Sequence, residues 1–169
     1  MEWYEILLVV LTSFIFLFFL QDMIKRSRYA KIVIKITSVI KERFDAHQLH
    51  IHHAEDAYQF EFGGYLIKLI DMNPANEVII TNSDRVVINH DIKNWKRSTK
   101  PHFVAGMKEF MEYQVPGTDL TKIVLIYPSC HNITKYINES DCHLVEKYQK
   151  IDGMYFIKYQ DLKEFLNNR

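Results

Sequence analysis

The chain has 169 residues, which is enough for one domain with a substantial core after an apolar N-terminal segment, but not for two domains. Its 21 basic and 21 acidic residues balance, which argues against a protein that binds nucleic acid mainly through phosphate contacts. Aromatic residues make up 14% of the sequence, a content typical of a folded protein and not of a disordered one.

An apolar run at residues 3–20 dominates the N-terminal part, and Glu5 is its single charged residue. As an α-helix, a run of this length would span roughly 27 Å, close to the thickness of a bilayer's hydrocarbon core. A helix satisfies its own backbone polar groups in lipid, so the run predicts one membrane-spanning helix. The alternative is a cleaved signal peptide, which needs a basic segment before the run and small residues at a cleavage site. Residues 18–22 and the residues before the run provide neither.

Basic residues follow the apolar run and none precedes it. Because such residues are retained on the cytoplasmic side, the sequence predicts a single-pass protein of the cell membrane with its N-terminus outside and its C-terminal domain in the cytoplasm. The bilayer is therefore the first predicted partner. The side chains expected to lie against the lipid headgroups of the inner leaflet are Lys25, Arg26, Arg28 and Lys31.

Three segments are predicted along the chain. They are a transmembrane anchor at residues 1–22, a juxtamembrane amphipathic helix at residues 23–45 and a cytoplasmic α/β domain at residues 46–169. The helix either continues from the anchor or begins after a break at residues 21–22.

The juxtamembrane segment carries apolar side chains at helical spacing, at Ile32, Ile36 and Ile40. Ile34 lies outside this stripe, and the β-branched residues 32–34 leave a short strand as the alternative. Such a helix would lie on the bilayer, pair with a second copy in a homodimer, or pack on the domain that follows.

The centre of the domain predicts an antiparallel meander. Gly63 and Gly64 form a two-residue hairpin turn that needs positive φ angles, and turn-forming residues at 71–76 include Pro74, which cannot continue a ladder. The predicted strands are residues 58–62, 65–70, 77–81 and 86–88.

The second half of the domain alternates helices and strands. Pro101 opens a predicted helix with Phe103, Met107 and Phe110 on its buried face. Residues 122–127 form a continuous apolar run, which is typical of a strand buried on both faces.

The remaining predicted elements are a short helix at residues 132–138, strands at 143–145 and 154–158, and a last helix that begins at Asp161 with Glu164 in a capping box. The order of elements predicts an α/β domain, with α+β as the alternative. Its mixed sheet would consist of the antiparallel meander and the buried strand, packed by helices.

Two groups of residues suggest metal ligands. Residues 47–53 contain four histidines, but strand alternation places them on both faces, which favours an exposed or edge strand. Cys130 and Cys142 are each followed by a histidine, although zinc ligands are usually spaced two to four residues apart. In a reducing compartment, two free thiols are the expectation.

The order of elements resembles that of the restriction-endonuclease-like superfamily, and in particular the nuclease-related domain proteins of bacteria. A helix, a β-meander, a helix and a buried strand form the family's core, and the resemblance covers residues 29–166. The family's PD-(D/E)xK pattern has an acidic residue on one strand, followed by an acidic residue and a lysine two positions apart. The matching residues are Asp71, Asp91 and Lys93.

The resemblance implies that Asp71 and Asp91 would bind Mg²⁺, which activates water, and that Lys93 would orient the nucleophile. It also implies nucleic acid as the substrate. The sequence contains no Gly-rich phosphate loop, no G-x-S-x-G and no H-E-x-x-H, so other common catalytic classes are not indicated.

Two functions therefore remain open. We interpret the protein as a membrane-anchored domain that binds a protein partner or acts as a scaffold, without catalysis and without a cofactor. The alternative is a membrane-tethered, Mg²⁺-dependent nuclease that uses Asp71, Asp91 and Lys93.

Overall fold

The computed structural model describes residues 3–74, 76–82, 85–89, 102–138 and 141–169. The chain divides into two compact units, Met1–Ser38 and Val39–Arg169. The first long helix, α1 (Trp3–Lys41), begins in the first unit and ends in the second.

Helix α1 is long and apolar enough to cross a membrane, and none of its most apolar window is buried. The hydroxyl groups of Thr12 and Ser13 donate hydrogen bonds to the carbonyl oxygens of Leu8 and Val9, so neither is left unsatisfied within the apolar stretch. The helix continues through residues 21–22 without a break. The juxtamembrane helix is therefore a continuation of the apolar helix and does not begin after a break.

The juxtamembrane segment is helical, and the strand alternative at residues 32–34 is wrong. Ile32, Ile36 and Ile40 are buried, whereas Ile34 is 68% exposed. Burial at every fourth position is the helical period, and it outweighs the preference of the β-branched residues for a strand.

The second unit contains the strands. After a 3-10 turn at Ala46–Gln48, its described elements in chain order are β1 (His50–Ile51), β2 (Phe60–Phe62), β3 (Tyr65–Asp71), β4 (Glu77–Asn82), β5 (Arg85–Asn89), β6 (His102–Phe103), α2 (Met107–Glu112), β7 (Thr121–Tyr127), β8 (Ile133–Asn138), β9 (Asp141–Leu144), β10 (Lys150–Ile151), β11 (Met154–Lys158) and α3 (Tyr159–Asn167).

These strands form two mixed sheets. The first has the order β1-β2-β3-β7-β11-β10, and its three central strands β3, β7 and β11 are parallel. The second has the order β6-β5-β4-β8-β9, in which β4 and β8 are parallel and the other pairs are antiparallel. The predicted class, a mixed-sheet α/β or α+β domain packed by helices, is confirmed.

The main hydrophobic core lies between the two sheets. Alternate residues of β3 and β7 face it from the first sheet, alternate residues of β4 and β5 face it from the second, and α2 closes it. Its members include Leu66, Ile70, Val78, Ile80, Val86, Ile88, Phe110, Val124 and Ile126.

The other face of the first sheet is covered by α3, which packs on β7 and β11. Leu162, Phe165 and Leu166 of the helix are buried as predicted, and the Phe165 ring lies 5.1 Å from the Tyr155 ring. The first sheet is therefore buried on both faces, as the apolar run of β7 indicates.

The single meander predicted from the sequence is not formed. β2–β3 and β4–β5 are antiparallel pairs, and Gly63 and Gly64 have the expected positive φ angles of 49° and 81°. However, β3 and β4 belong to different sheets. Apolar side chains lie on both faces of β3, and a strand of this kind is best buried when it lies inside a sheet that is covered on both faces. β3 accordingly lies between β2 and β7 in the first sheet.

Three local predictions in the second half are wrong. The helix predicted at residues 132–138 is absent, and Ile133–Asn138 form strand β8. Its residues Ile133, Thr134, Tyr136 and Ile137 favour a strand, and Ile133 joins the core beside β4.

The predicted helix at residues 101–114 is reduced to α2, Met107–Glu112. Gly106 has a left-handed φ of 69°, which stops the helix from extending towards the N-terminus. Phe103 therefore lies on strand β6, where it is exposed and does not contribute to a buried helical face. Pro101 lies outside the described residues.

The last helix begins at Tyr159, and Lys158 is its N-cap. Asp161 therefore lies inside the helix, and the predicted capping box of Asp161 and Glu164 is wrong. The carboxylates of Asp161 and Glu164 instead bind the Lys147 ammonium group at 3.0 and 2.7 Å.

Candidate protein interface

One row of side chains crosses the second sheet on the face that points away from the core. The strand registers place Phe103 beside Val87, Val87 beside Ile79, Ile79 beside Thr134, and Thr134 beside Leu144. Residues directly opposite each other on adjacent strands point to the same face. These five residues form what we call the apolar row, which runs from β6 to β9.

Strand alternation shows that the apolar row is on the outer face. The residues next to its members in the sequence, Val78, Ile80, Val86, Ile88 and Ile133, all belong to the core between the sheets. The row itself therefore points the opposite way.

The two ends of the apolar row are exposed. Phe103 is 56% exposed and Leu144 is 64% exposed, whereas Val87 and Thr134 near the middle are buried. The Thr134 hydroxyl donates a hydrogen bond to the Glu77 carboxylate, so the one polar member of the row has a partner.

Besides Phe103, a second exposed aromatic side chain lies on this outer face of the sheet. Tyr136 is two residues after Thr134 on β8, pairs with Cys142 of β9, and is 43% exposed. Together with Leu144 it gives the β9 end of the sheet an apolar surface. Exposed apolar side chains that share one face of a sheet are candidates for an interaction site.

The residues proposed for nuclease chemistry are only partly described. Asp71 is the last residue of β3, where it pairs with Tyr127 of β7 and is exposed. Asp91 and Lys93 lie outside the described residues. The metal site that the three would form stays a prediction.

The basic residues predicted to face lipid headgroups lie on α1, directly after its apolar stretch. Lys25, Arg26, Arg28 and Lys31 are all exposed. The Arg26 guanidinium forms an ion pair with Asp22 one turn earlier, at 2.8 Å. Their place at the membrane surface stays a prediction.

The histidine-rich segment forms a short turn and the edge strand β1, whose residues are exposed as predicted. Within the part of the chain that the structure describes, no group of three His, Cys, Asp or Glu side chains is arranged to bind a metal. Cys130 and Cys142 are both free thiols, the first buried and the second exposed.

Lys68 is a buried charged residue that no sequence pattern predicts. Lys68 of β3 lies on the same face as Leu66 and Ile70, and its ammonium group donates a hydrogen bond to the Ala57 carbonyl at 2.9 Å. Burial lowers the pKa of Lys68, and the nearby Glu109 carboxylate opposes that effect. The only sequence signal for the burial of Lys68 is its spacing, two residues from each of the core residues Leu66 and Ile70.

Sequence patterns do not indicate the apolar row either, because they predict helices around Phe103 and at residues 132–138. Comparison with known proteins does not supply a family: no family model, no curated protein and no solved structure matches the chain. The resemblance to the restriction-endonuclease-like superfamily stays a prediction.

Proposed function

We propose that the protein is a single-pass membrane protein whose domain lies in the cytoplasm and binds a second, different protein through the outer face of its second sheet. The observation that carries this proposal is the apolar row with its exposed ends, Phe103 and Leu144.

The anchor supports the first part of the proposal. Helix α1 meets the length and composition requirements of a membrane span. Basic side chains follow its apolar stretch, and such residues favour the cytoplasmic side of a membrane. A domain held in this way meets its partners at the inner membrane surface.

The shape and chemistry of the surface support the second part. A sheet face is flat, and Tyr136 and the exposed ends of the apolar row lie on strands that are each paired with a neighbouring strand. Their side chains are therefore presented with little freedom. The expected partner therefore presents apolar side chains to this face. Aromatic residues such as Phe103 and Tyr136 are typical anchors of such interfaces.

Site-specific photo-crosslinking in cells tests this proposal. A photoreactive phenylalanine analogue at position 103 is expected to give one discrete adduct with a different protein. The same analogue at Ile51, which is 48% exposed on β1 of the other sheet, is the matched control and is expected to give none.

A second substitution tests whether the row acts as one surface. Tyr136→Asp introduces a charge on the same face, away from the crosslinking position, and is expected to reduce the adduct at position 103 several-fold. Equal adducts from positions 103 and 51, or adducts that contain only this chain, would contradict the proposed function.

A further inference from the structure

Strand β9 forms one edge of the second sheet. Among the described residues it pairs with β8 on one side and has no strand on the other. All four of its residues, Asp141–Leu144, are exposed. An open edge presents unpaired N–H and C=O groups and is a template for another strand.

The hydrogen bonds of β8 and β9 show which backbone groups point to this edge. The Val145 N–H donates to the Ile133 carbonyl at 2.8 Å, and in an antiparallel ladder the hydrogen-bonded pairs alternate. The N–H and C=O groups of His143 therefore point towards β8. Those of Cys142 and Leu144 point outwards, away from β8.

The side chains of β9 are complementary to those of a second, antiparallel copy. With the two-fold axis at Cys142, the outward N–H and C=O of Cys142 meet those of the second copy's Cys142. Asp141 then lies opposite the second copy's His143, and symmetry repeats this pair. A register shifted by two residues would instead place His143 opposite His143 and lose both Asp141–His143 pairs.

We propose that two copies of the chain associate edge to edge through β9, antiparallel, about a two-fold axis at Cys142. This pairing joins the second sheets of both copies into one continuous sheet and removes the open edge. Because the same edge is used by both copies, the assembly closes as a dimer and does not extend into a filament. The proposal goes beyond the binding of a different protein and does not depend on it.

Thiol crosslinking of the full chain in its own membrane tests the position of the axis. A short bis-methanethiosulfonate reagent is expected to link two copies through Cys142. The Cys142→Ser variant is expected to lose the crosslinked dimer, whereas Cys130→Ser keeps it, since Cys130 is buried. A crosslinked dimer that persists in Cys142→Ser, or the absence of any crosslink in the unmodified chain, would overturn the proposal.

Proline at the axis tests the backbone pairing. Cys142→Pro removes an outward N–H without removing a hydrogen bond between β8 and β9, and it is expected to convert the detergent-solubilised dimer to a monomer. Cys142→Ala is the matched control and is expected to remain a dimer by light scattering. If Cys142→Pro remains a dimer, association occurs elsewhere, for example through α1, and edge pairing is wrong.

A charge exchange tests the register and involves only exposed side chains, so it does not depend on the proline variant folding. His143→Asp places two carboxylates opposite each other and is expected to weaken the dimer several-fold. Adding Asp141→His to that variant again places a histidine opposite each aspartate and is expected to restore the dimer. If His143→Asp dimerises as well as the unmodified chain, the proposed register is wrong.

Discussion

The two cysteines occupy contrasting environments. Cys130 lies in the core between the sheets, and its burial raises the pKa of the thiol to about 11. The Lys158 ammonium group opposes this effect and the Glu77 carboxylate adds to it. Cys142 lies exposed on β9. Since the thiolate is the reactive form, burial of Cys130 limits both its contact with reagents and its ionisation.

We therefore expect a thiol reagent at pH 8 to modify one cysteine per folded chain rapidly and the other slowly. With a pKa of about 11, only about one part in a thousand of Cys130 is ionised at that pH. Cys142→Ser is expected to abolish the rapid phase, and Cys130→Ser to leave it unchanged. The measurement is the time course of modification of the native chain. Equal rates for both thiols would show that Cys130 is not buried.

At the residue scale, the sequence predicts burial well where a residue's neighbours have a regular pattern. Leu162, Phe165 and Leu166 follow the helical period and are buried as expected. The sequence does not predict the burial of Lys68, because its position depends on the Ala57 carbonyl and the Glu109 carboxylate, which only the tertiary structure brings close to it. No local pattern contains that information.

At the scale of elements, the turn between β2 and β3 depends on a close contact. A Cβ atom added at Gly63 would lie 2.8 Å from the Phe44 ring, and the φ of 49° is itself in the left-handed region. Phe44 in turn packs on Phe62 and Tyr65, with ring centroids 4.9 and 5.7 Å away. Gly64 has a φ of 81° but nothing within 4 Å of an added Cβ.

This difference between neighbouring glycines gives a matched pair of variants. Gly63→Ala and Gly64→Ala each place alanine in the left-handed region, which costs about 1–2 kcal/mol. Gly63→Ala must also displace Phe44, which adds about 1–3 kcal/mol. We expect its melting temperature to be lower than that of Gly64→Ala by at least about 3 °C, measured on the full chain in detergent. Similar melting temperatures would mean that Phe44 does not pack against this turn.

The elements that the sequence predicts correctly carry a strong local signal. Gly63 and Gly64 mark a hairpin, and the uninterrupted apolar run at β7 indicates a strand buried on both faces. β8 was mistaken for a helix because its apolar residues fit both periods. Its strand conformation is fixed by pairing with β4, in which Val78 pairs with Ile133, 55 residues later in the chain.

At the scale of the whole molecule, the long apolar helix and the fold class could be predicted and the sheet topology could not. A membrane span depends on length and composition, which are local properties. The division of the strands into two sheets depends on the parallel pairing of β3 with β7, whose register joins Tyr65 to Thr121. Such long-range pairing leaves no short pattern in the sequence. The candidate interface depends on that topology, so it could be recognised only in the structure.

We propose above all that α1 anchors the chain in a membrane and that the domain lies in the cytoplasm. The exposed thiol of Cys142 provides a natural reporter for it. A membrane-impermeant maleimide is expected to leave Cys142 unmodified in intact cells and to modify it once the membrane is permeabilised. As a control for the outer side, Trp3→Cys in a Cys142→Ser background is expected to react in intact cells. Modification of Cys142 in intact cells, to the same extent as after permeabilisation, would contradict the account.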